Sequence, residues 1–175
     1  MDIVTEYSHA FTNIALNKPA IQSSTFTQAC KGVSGSAWKA VDGIRNPVYC
    51  DGYCSRTGFD DTFPWWQVDL GSKYSITHVE ILNRALFPER LAGFQIEVSM
   101  RNDTDPNGEL RDAVSCFKDT GLQLIAGDLI NVACAEQVEG RYLRISNRKS
   151  PDLTLCEVLV EGRKQENAKM RWQRS

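Results

Sequence analysis

Apolar and polar positions alternate with a period of two in several short runs, at residues 65–70, 76–82, 94–98, 142–145 and 155–160. That period sends successive side chains to opposite faces of an extended chain, so each run predicts a β-strand with one buried face. Between the runs lie Asp42-Gly43, Asn46-Pro47, Asp51-Gly52, Asp105-Pro106-Asn107-Gly108 and Glu139-Gly140, residue types that accept turn dihedrals and interrupt ladders. No long stripe at helical spacing competes with them. Strands joined by turns, without strand-helix alternation, predict an all-β fold, an antiparallel β-sandwich or jelly roll. The patterned region, residues 13–162, is expected to form one domain. Residues 1–12 form an N-terminal extension, and 163–175 a basic, polar tail expected to fray. Met170 and Trp172 give that tail a second reading, as a segment that touches a membrane or a partner. No repeat at a solenoid or propeller period is present.

The chain's 175 residues suit a single core. With 42% hydrophobic and 24% charged residues it reads as an ordinary globular protein, neither disordered nor membrane-embedded. A net charge of -2 offers no general attraction to phosphate backbones, which argues against nucleic acid as a partner. Cys30, Cys50, Cys54, Cys116, Cys134 and Cys156 are even in number and dispersed, which suits disulfides and an oxidising, extracellular compartment. Spacing alone leaves their pairing open. Cys50 and Cys54 lack a nearby histidine, His9 and His78 being the only two, so a zinc site is not expected. The first residues are acidic and lack an apolar signal core, so the start is expected to be a mature region of a secreted protein. The sequon Asn102-Asp103-Thr104 agrees with that compartment. No transmembrane segment is expected. Catalysis is not expected either: His78 alternates outward with Val79 and Ile81, His9 lies in the extension, neither has a nucleophile partner, and Asp60-Asp61 reads as a solvated pair.

Several segments carry a family resemblance: Asn13-Ile14-Ala15-Leu16-Asn17-Lys18-Pro19-Ala20 with Gln22-Ser23-Ser24; Ala40-Val41-Asp42-Gly43; Pro64-Trp65-Trp66-Gln67-Val68-Asp69-Leu70-Gly71; Asn83-Arg84; Glu89-Arg90-Leu91-Ala92-Gly93-Phe94; Gly140-Arg141-Tyr142-Leu143-Arg144-Ile145; and Leu155-Cys156-Glu157-Val158. In this order, across residues 13–162, they resemble the F-type lectin (fucolectin) family of discoidin-like, F5/8 type C-like β-sandwiches. Trp65, Trp66 and Leu70 are expected to pack in or beside the core, since large aromatics on a strand bury ~150 to 250 Å² each.

The resemblance implies a secreted, calcium-stabilised lectin that recognises terminal L-fucose through a histidine and two basic residues. Arg84 and Arg90 match the basic pair; a guanidinium offers fixed donors to vicinal hydroxyls and a ring oxygen. Arg56, in Cys54-Ser55-Arg56-Thr57, stands where the family has its histidine. It always carries charge and cannot accept a hydrogen bond, so the ligand geometry is expected to shift. The loop between Arg84 and Arg90 is one residue shorter than the family's and lacks its orienting Asp, for which Glu89 is the expected substitute. Phe87 is expected to replace the family's adjacent cysteine pair as the apolar platform, while Tyr49 and Lys31 lie on loops resembling the pocket rim. Three arginines together favour sulfated, carboxylated or otherwise acidic glycans beside or instead of neutral fucose. The implied partners are such glycans on cell surfaces or glycoproteins.

By position, the family's calcium ligands correspond to Lys39, Asp42, Ile44, Tyr53, Cys156 and Glu157, with side-chain charge from Asp42 and Glu157 and carbonyls elsewhere. The implied disulfides are Cys54–Cys156, Cys116–Cys134 and Cys30–Cys50. Because a shallow hydroxyl-binding site is weak alone, a homo-oligomer or a tandem-domain parent is expected. The alternative reading is an adhesion module that has lost its fucose site and binds protein or phospholipid surfaces through Phe59, Phe63 and Phe87.

Overall fold

Two 18-residue strands, β3 (Trp65–Leu82) and β6 (Leu129–Ser146), pair antiparallel along their length and organise the whole domain. The computed structural model describes residues 12–27, 30 and 32–165. The remaining strands are β1 (Ala20–Gln22), β2 (Ser55–Arg56), β4 (Gln95–Ser99), β5 (Val114–Lys118), β7 (Thr154–Leu155) and β8 (Glu157–Lys164). The large sheet runs β1-β3-β6-β4-β5, with β8 on the far half of β3, and β2 pairs with β7 separately. All of these pairings are antiparallel.

The pair β3/β6 breaks register between Asp69 and Tyr74 and again between Ile76 and His78, and such bulges bend a ladder and increase its twist. Before the first break β3 carries β1 and β6 carries β4; after it β3 carries β8. The apolar faces of both halves meet in one core. Trp66, Val68, Leu70, Ile76, Val79, Ile81, Ile96, Val98, Leu143, Ile145, Val158 and Val160 are all buried in it. From Ile76 to Val79 the inward positions take an odd step, because the second bulge resets the alternation. That reset is why the sequence shows runs 65–70 and 76–82 as separate where the protein has one strand. The outward phase leaves His78 partly exposed beside Glu161, 3.2 Å from Nδ1 to the carboxylate.

Trp66 is buried and donates from its indole to the Ala37 carbonyl at 2.9 Å. Trp65 is half-buried, with the Arg144 guanidinium 4.1 Å above its ring. Arg163 and Lys164, read from sequence as tail, instead pair with Ser75 and Tyr74 at the end of β8. Their polar side chains hid a strand whose partner is supplied by β3. The expectations for residues 1–11, the rest of the tail from 166, and Lys31 lie outside the described residues.

The disulfides are Cys54–Cys156, Cys116–Cys134 and Cys30–Cys50, the pairing that the resemblance implied. Cys116–Cys134 ties edge strand β5 to β6. The other two surround a second small core of Tyr49, Cys54, Leu82 and Cys156, with Phe26, Val33 and Leu129 against it. No helix of the described residues is long and apolar enough to cross a membrane.

Candidate functional site

The second core supports a cluster of three arginines built from separate parts of the chain. Arg56 lies on β2, opposite Thr154 of β7. Its backbone is held on both sides: its N–H donates to Gly35 O at 2.8 Å, and its carbonyl accepts from Phe26 N and Gln22 Nε2, each at 3.0 Å. A side chain at position 35 would put Cβ 2.7 Å from Arg56 N, so this close approach requires glycine. Arg84 follows the end of β3. Its loop is fixed by backbone bonds from Ala85 N to Pro47 O at 2.8 Å and from Gly127 N to Arg84 O at 3.1 Å. Arg90 sits in the 3-10 turn Pro88–Leu91, which begins after Phe87 in a left-handed conformation, φ 58°.

One carboxylate joins two of the three guanidiniums. Asp152, fully buried just before β7, accepts from Arg56 Nε at 2.7 Å and from Arg90 at 3.1 and 3.2 Å. Arg84 receives less: one guanidinium nitrogen reaches Thr154 Oγ1 at 3.4 Å, and its buried Nε has no partner. Burial, followed by the charges of Arg56 and Arg90, lowers the Arg84 pKa, against an upward pull from Asp152.

Aromatic rings hold the guanidiniums in place. Arg56 lies 4.2 Å from the Phe26 centroid, 4.4 Å from Phe59 and 5.2 Å from Tyr49. Arg90 lies 4.6 Å from Phe87 and 5.5 Å from Phe59. These distances are within reach of the attraction between a cation and a ring face. Phe59 and Phe87 remain about half exposed, 49% and 52%, and so present apolar surface beside the charged cluster. Phe63 is instead covered by Arg148, 3.5 Å from its centroid. A cavity of about 290 Å³ opens beside Arg84, lined by Pro47, Val48, Tyr49, Ala85 and Leu86 among others. Another, of about 350 Å³, lies against Phe26 and Phe59.

The cluster therefore brings together Arg56, Arg84, Arg90 and Phe87, all named from sequence. Two expectations change. Tyr49 is buried at 4% exposure, beneath the arginines rather than on a rim, because the disulfide-bonded second core takes its ring; burial raises its phenol pKa against the pull of Arg56 and Arg84. Glu89 is exposed, and Asp152 takes the orienting role expected of it. Asp152 is 96 residues from Arg56, and no local motif marks it; the β2–β7 pairing brings it there. Asp61, read as solvated, anchors a turn by accepting from Ser23 and Ser24 hydroxyls at 2.5 Å each and from Phe63 N at 3.1 Å.

The expected metal loop has a matching polarity. Asp42 ends the 3-10 turn Ala37–Val41 and accepts from Ile44 N at 2.8 Å. Glu157, 1% exposed, accepts from Gly43 N at 3.3 Å through one oxygen, while the other is buried without a partner. Burial and the neighbouring Asp42 charge push its pKa up to about 8. An orphaned carboxylate oxygen beside a second carboxylate is what a hard cation would satisfy. Lys39 turns its ammonium to Ser34 O at 2.6 Å, which leaves its own carbonyl as its possible contribution. Tyr53 is at the surface, and Cys156 is held by its disulfide and by a bond from its N–H to Leu82 O at 3.1 Å. No group of three or more His, Cys, Asp or Glu gathers as a metal cluster among the described residues, so any such site must rely on carbonyls.

Residues 39–145 match the family described as NedA-like, galactose-binding domain, of the F5/8 type C class. Fucolectin-3 of Anguilla japonica is 33% identical over 149 residues, 85% of this chain and 78% of its own. Among solved structures, the F-lectin (fucolectin) from striped bass (Morone saxatilis) serum superposes with a TM-score of 0.75 at 34% identity, over 89% of this chain. This chain spans 50% of that one. A fucose binding module of Streptococcus pneumoniae, SpX-3, matches with a TM-score of 0.63 at 28% identity, over 85% of this chain and 96% of its own.

Proposed function

Because the chain belongs to the fucolectin family of F5/8 type C-like domains, a family of lectins rather than enzymes, we propose that it binds glycans ending in L-fucose, with the pocket of Arg56, Arg84 and Arg90 as the site. The observation that carries this reading is the sharing of buried Asp152 by Arg56 and Arg90 beside two half-exposed rings. Guanidiniums fixed in this way present unused N–H donors at set angles, which suits vicinal hydroxyls and a ring oxygen. Phe87 and the apolar cavity beside Arg84 suit the methyl group that distinguishes a 6-deoxy sugar from its parent hexose. Arg56, engaged through Nε, is held rigid as a donor, which offsets its greater length relative to a histidine.

Calcium is the second part of the proposal. Asp42 and Glu157 would hold it through side chains, with carbonyls of Lys39, Ile44, Tyr53 and Cys156 completing an oxygen shell. Its charge would neutralise the carboxylate pair and stiffen the loop from Asp42 to Cys54, which leads directly into Arg56. Three disulfides and an exposed Asn102 in its sequon support secretion. The proposed partners are fucosylated glycans on glycoproteins or cells, bound by an oligomer or by repeated domains.

A glycan array run with calcium tests the site. Fucosylated ligands are expected to give signal, and Arg84→Ala to abolish it while circular dichroism stays that of the parent. Retention unchanged in the variant removes the pocket from consideration. Binding confined to liposomes, lost on replacing Phe59 and Phe87, would favour the adhesion reading that their exposure also supports.

A further inference from the structure

The three arginines are not electrostatically equivalent. Asp152 pairs with both Arg56 and Arg90, and no carboxylate reaches Arg84 with a hydrogen bond among the described residues. The cluster thus holds three guanidiniums against one carboxylate, and Arg84 is the one without a carboxylate partner. That side chain is 6% exposed, its Nε is buried without a partner, and its one hydrogen bond, to Thr154, is long. Its nearest rings, Phe87 at 5.5 Å and Tyr49 at 5.9 Å, lie near the outer limit of useful attraction. A buried cation without a counter-charge is costly, and a neutral hydroxyl gives it a hydrogen bond without discharging it. Arg84 also lines the 290 Å³ cavity, whose walls are otherwise apolar; such walls strengthen attraction to an incoming anion.

We propose that the ligand of this pocket carries an anionic oxygen group, a sulfate ester or a carboxylate, next to the sugar that the pocket grips, and that Arg84 is the residue that receives it. The inference rests on the pocket being the glycan site. It differs from what the histidine replacement alone suggests: Arg56 raises the charge, but Asp152 engages it, and the unmatched cation is its neighbour.

The test titrates the calcium-loaded protein with three matched probes: a fucosylated oligosaccharide, the same oligosaccharide with one O-sulfate, and the same with one sialic acid. At low salt the sulfated or the sialylated form is expected to bind at least about tenfold more tightly than the neutral one, and the stronger form identifies the anion. The advantage is expected to shrink as salt rises. Arg84→Gln, which keeps amide donors for hydroxyls but carries no charge, is expected to weaken all three probes and to abolish the advantage of the anionic ones. Should that variant fail to fold or to bind, competition by inorganic sulfate at constant ionic strength replaces it, and the advantage of the anionic probe over the neutral one is expected to vanish. Equal wild-type affinities for all three probes overturn this inference and leave fucose binding standing, whereas no binding to any probe overturns both. Discrimination that persists in Arg84→Gln, or that sulfate leaves unchanged, removes Arg84 from the role.

Discussion

Asp152 gains its importance from what it would leave behind. With both partners buried or half-buried around it, Asp152→Asn keeps the shape and removes the charge, stranding Arg56 and Arg90. Breaking a buried pair from one side typically costs ~3 to 5 kcal/mol, so the denaturant midpoint is expected to fall accordingly and glycan retention to be lost. A midpoint unchanged from the parent would show that the pair is not the organising contact. Glu157 makes the opposite kind of prediction. Its carboxyl titrates at about 8 in the folded protein against an ordinary 4.5, so the folded state holds the proton more tightly. In chelator, stability is therefore expected to be greatest below pH 4.5 as far as this group is concerned. It should be lost as pH rises towards 8, at up to ~1.4 kcal/mol per pH unit. Calcium is expected to remove that slope, and thermal melts across pH with and without the ion check it; identical slopes would count against the metal. Of these residues, Glu157 and the three arginines could be singled out in the sequence because each sits in a segment that lines up with the family's pattern. Asp152 was not, since its meaning comes only from the pairing of two two-residue strands.

The elements divide between those the alternation reveals and those that tertiary pairing imposes. β4, both halves of β3 and the last part of β6, residues 142–145, show period-two patterns because one face meets the core. β1 and β7 are too short to show a period, and β5 is an edge strand that leaves Val114 exposed, so its pattern does not sort by face. The short strands are held by covalent links and loops instead, and this sets two of the three disulfides apart from each other. Cys54–Cys156 joins the approach to β2 with the junction of β7 and β8, across 102 residues, directly beneath the arginines. Replacing both cysteines by Ala is expected to cost ~4.7 kcal/mol on the chain-entropy account and to abolish glycan retention. Cys116–Cys134 closes a span of 18 residues at the β5 edge. Its double replacement is expected to cost about 3 kcal/mol yet keep retention in whatever fraction remains folded. Equal loss of retention in both double variants, measured at equal folded fraction, would separate the site from the staple beneath it.

On the scale of the molecule, a chain of net charge -2 carries a locally positive cluster, so its field is polarised and not uniformly attractive. Orientation on approach then depends on the cluster, while affinity depends on a handful of donors and two exposed rings. A single site of this kind exchanges sugar–water hydrogen bonds for sugar–protein ones, and each exchange yields little net free energy. Retention on a cell surface consequently calls for several sites acting together, which can raise avidity on the order of a hundredfold or more without any new contact. The striped bass lectin, of which this chain spans 50%, has room in its length for more than one such unit. For the present chain the expectation is a particle holding more than one copy. Light scattering is expected to give a mass above that of one 19.6 kDa chain, and retention on surfaces of graded fucose density is expected to rise more steeply than density itself. A particle of one chain, with retention proportional to density, would mean that the domain works singly or gains its avidity only within a longer chain.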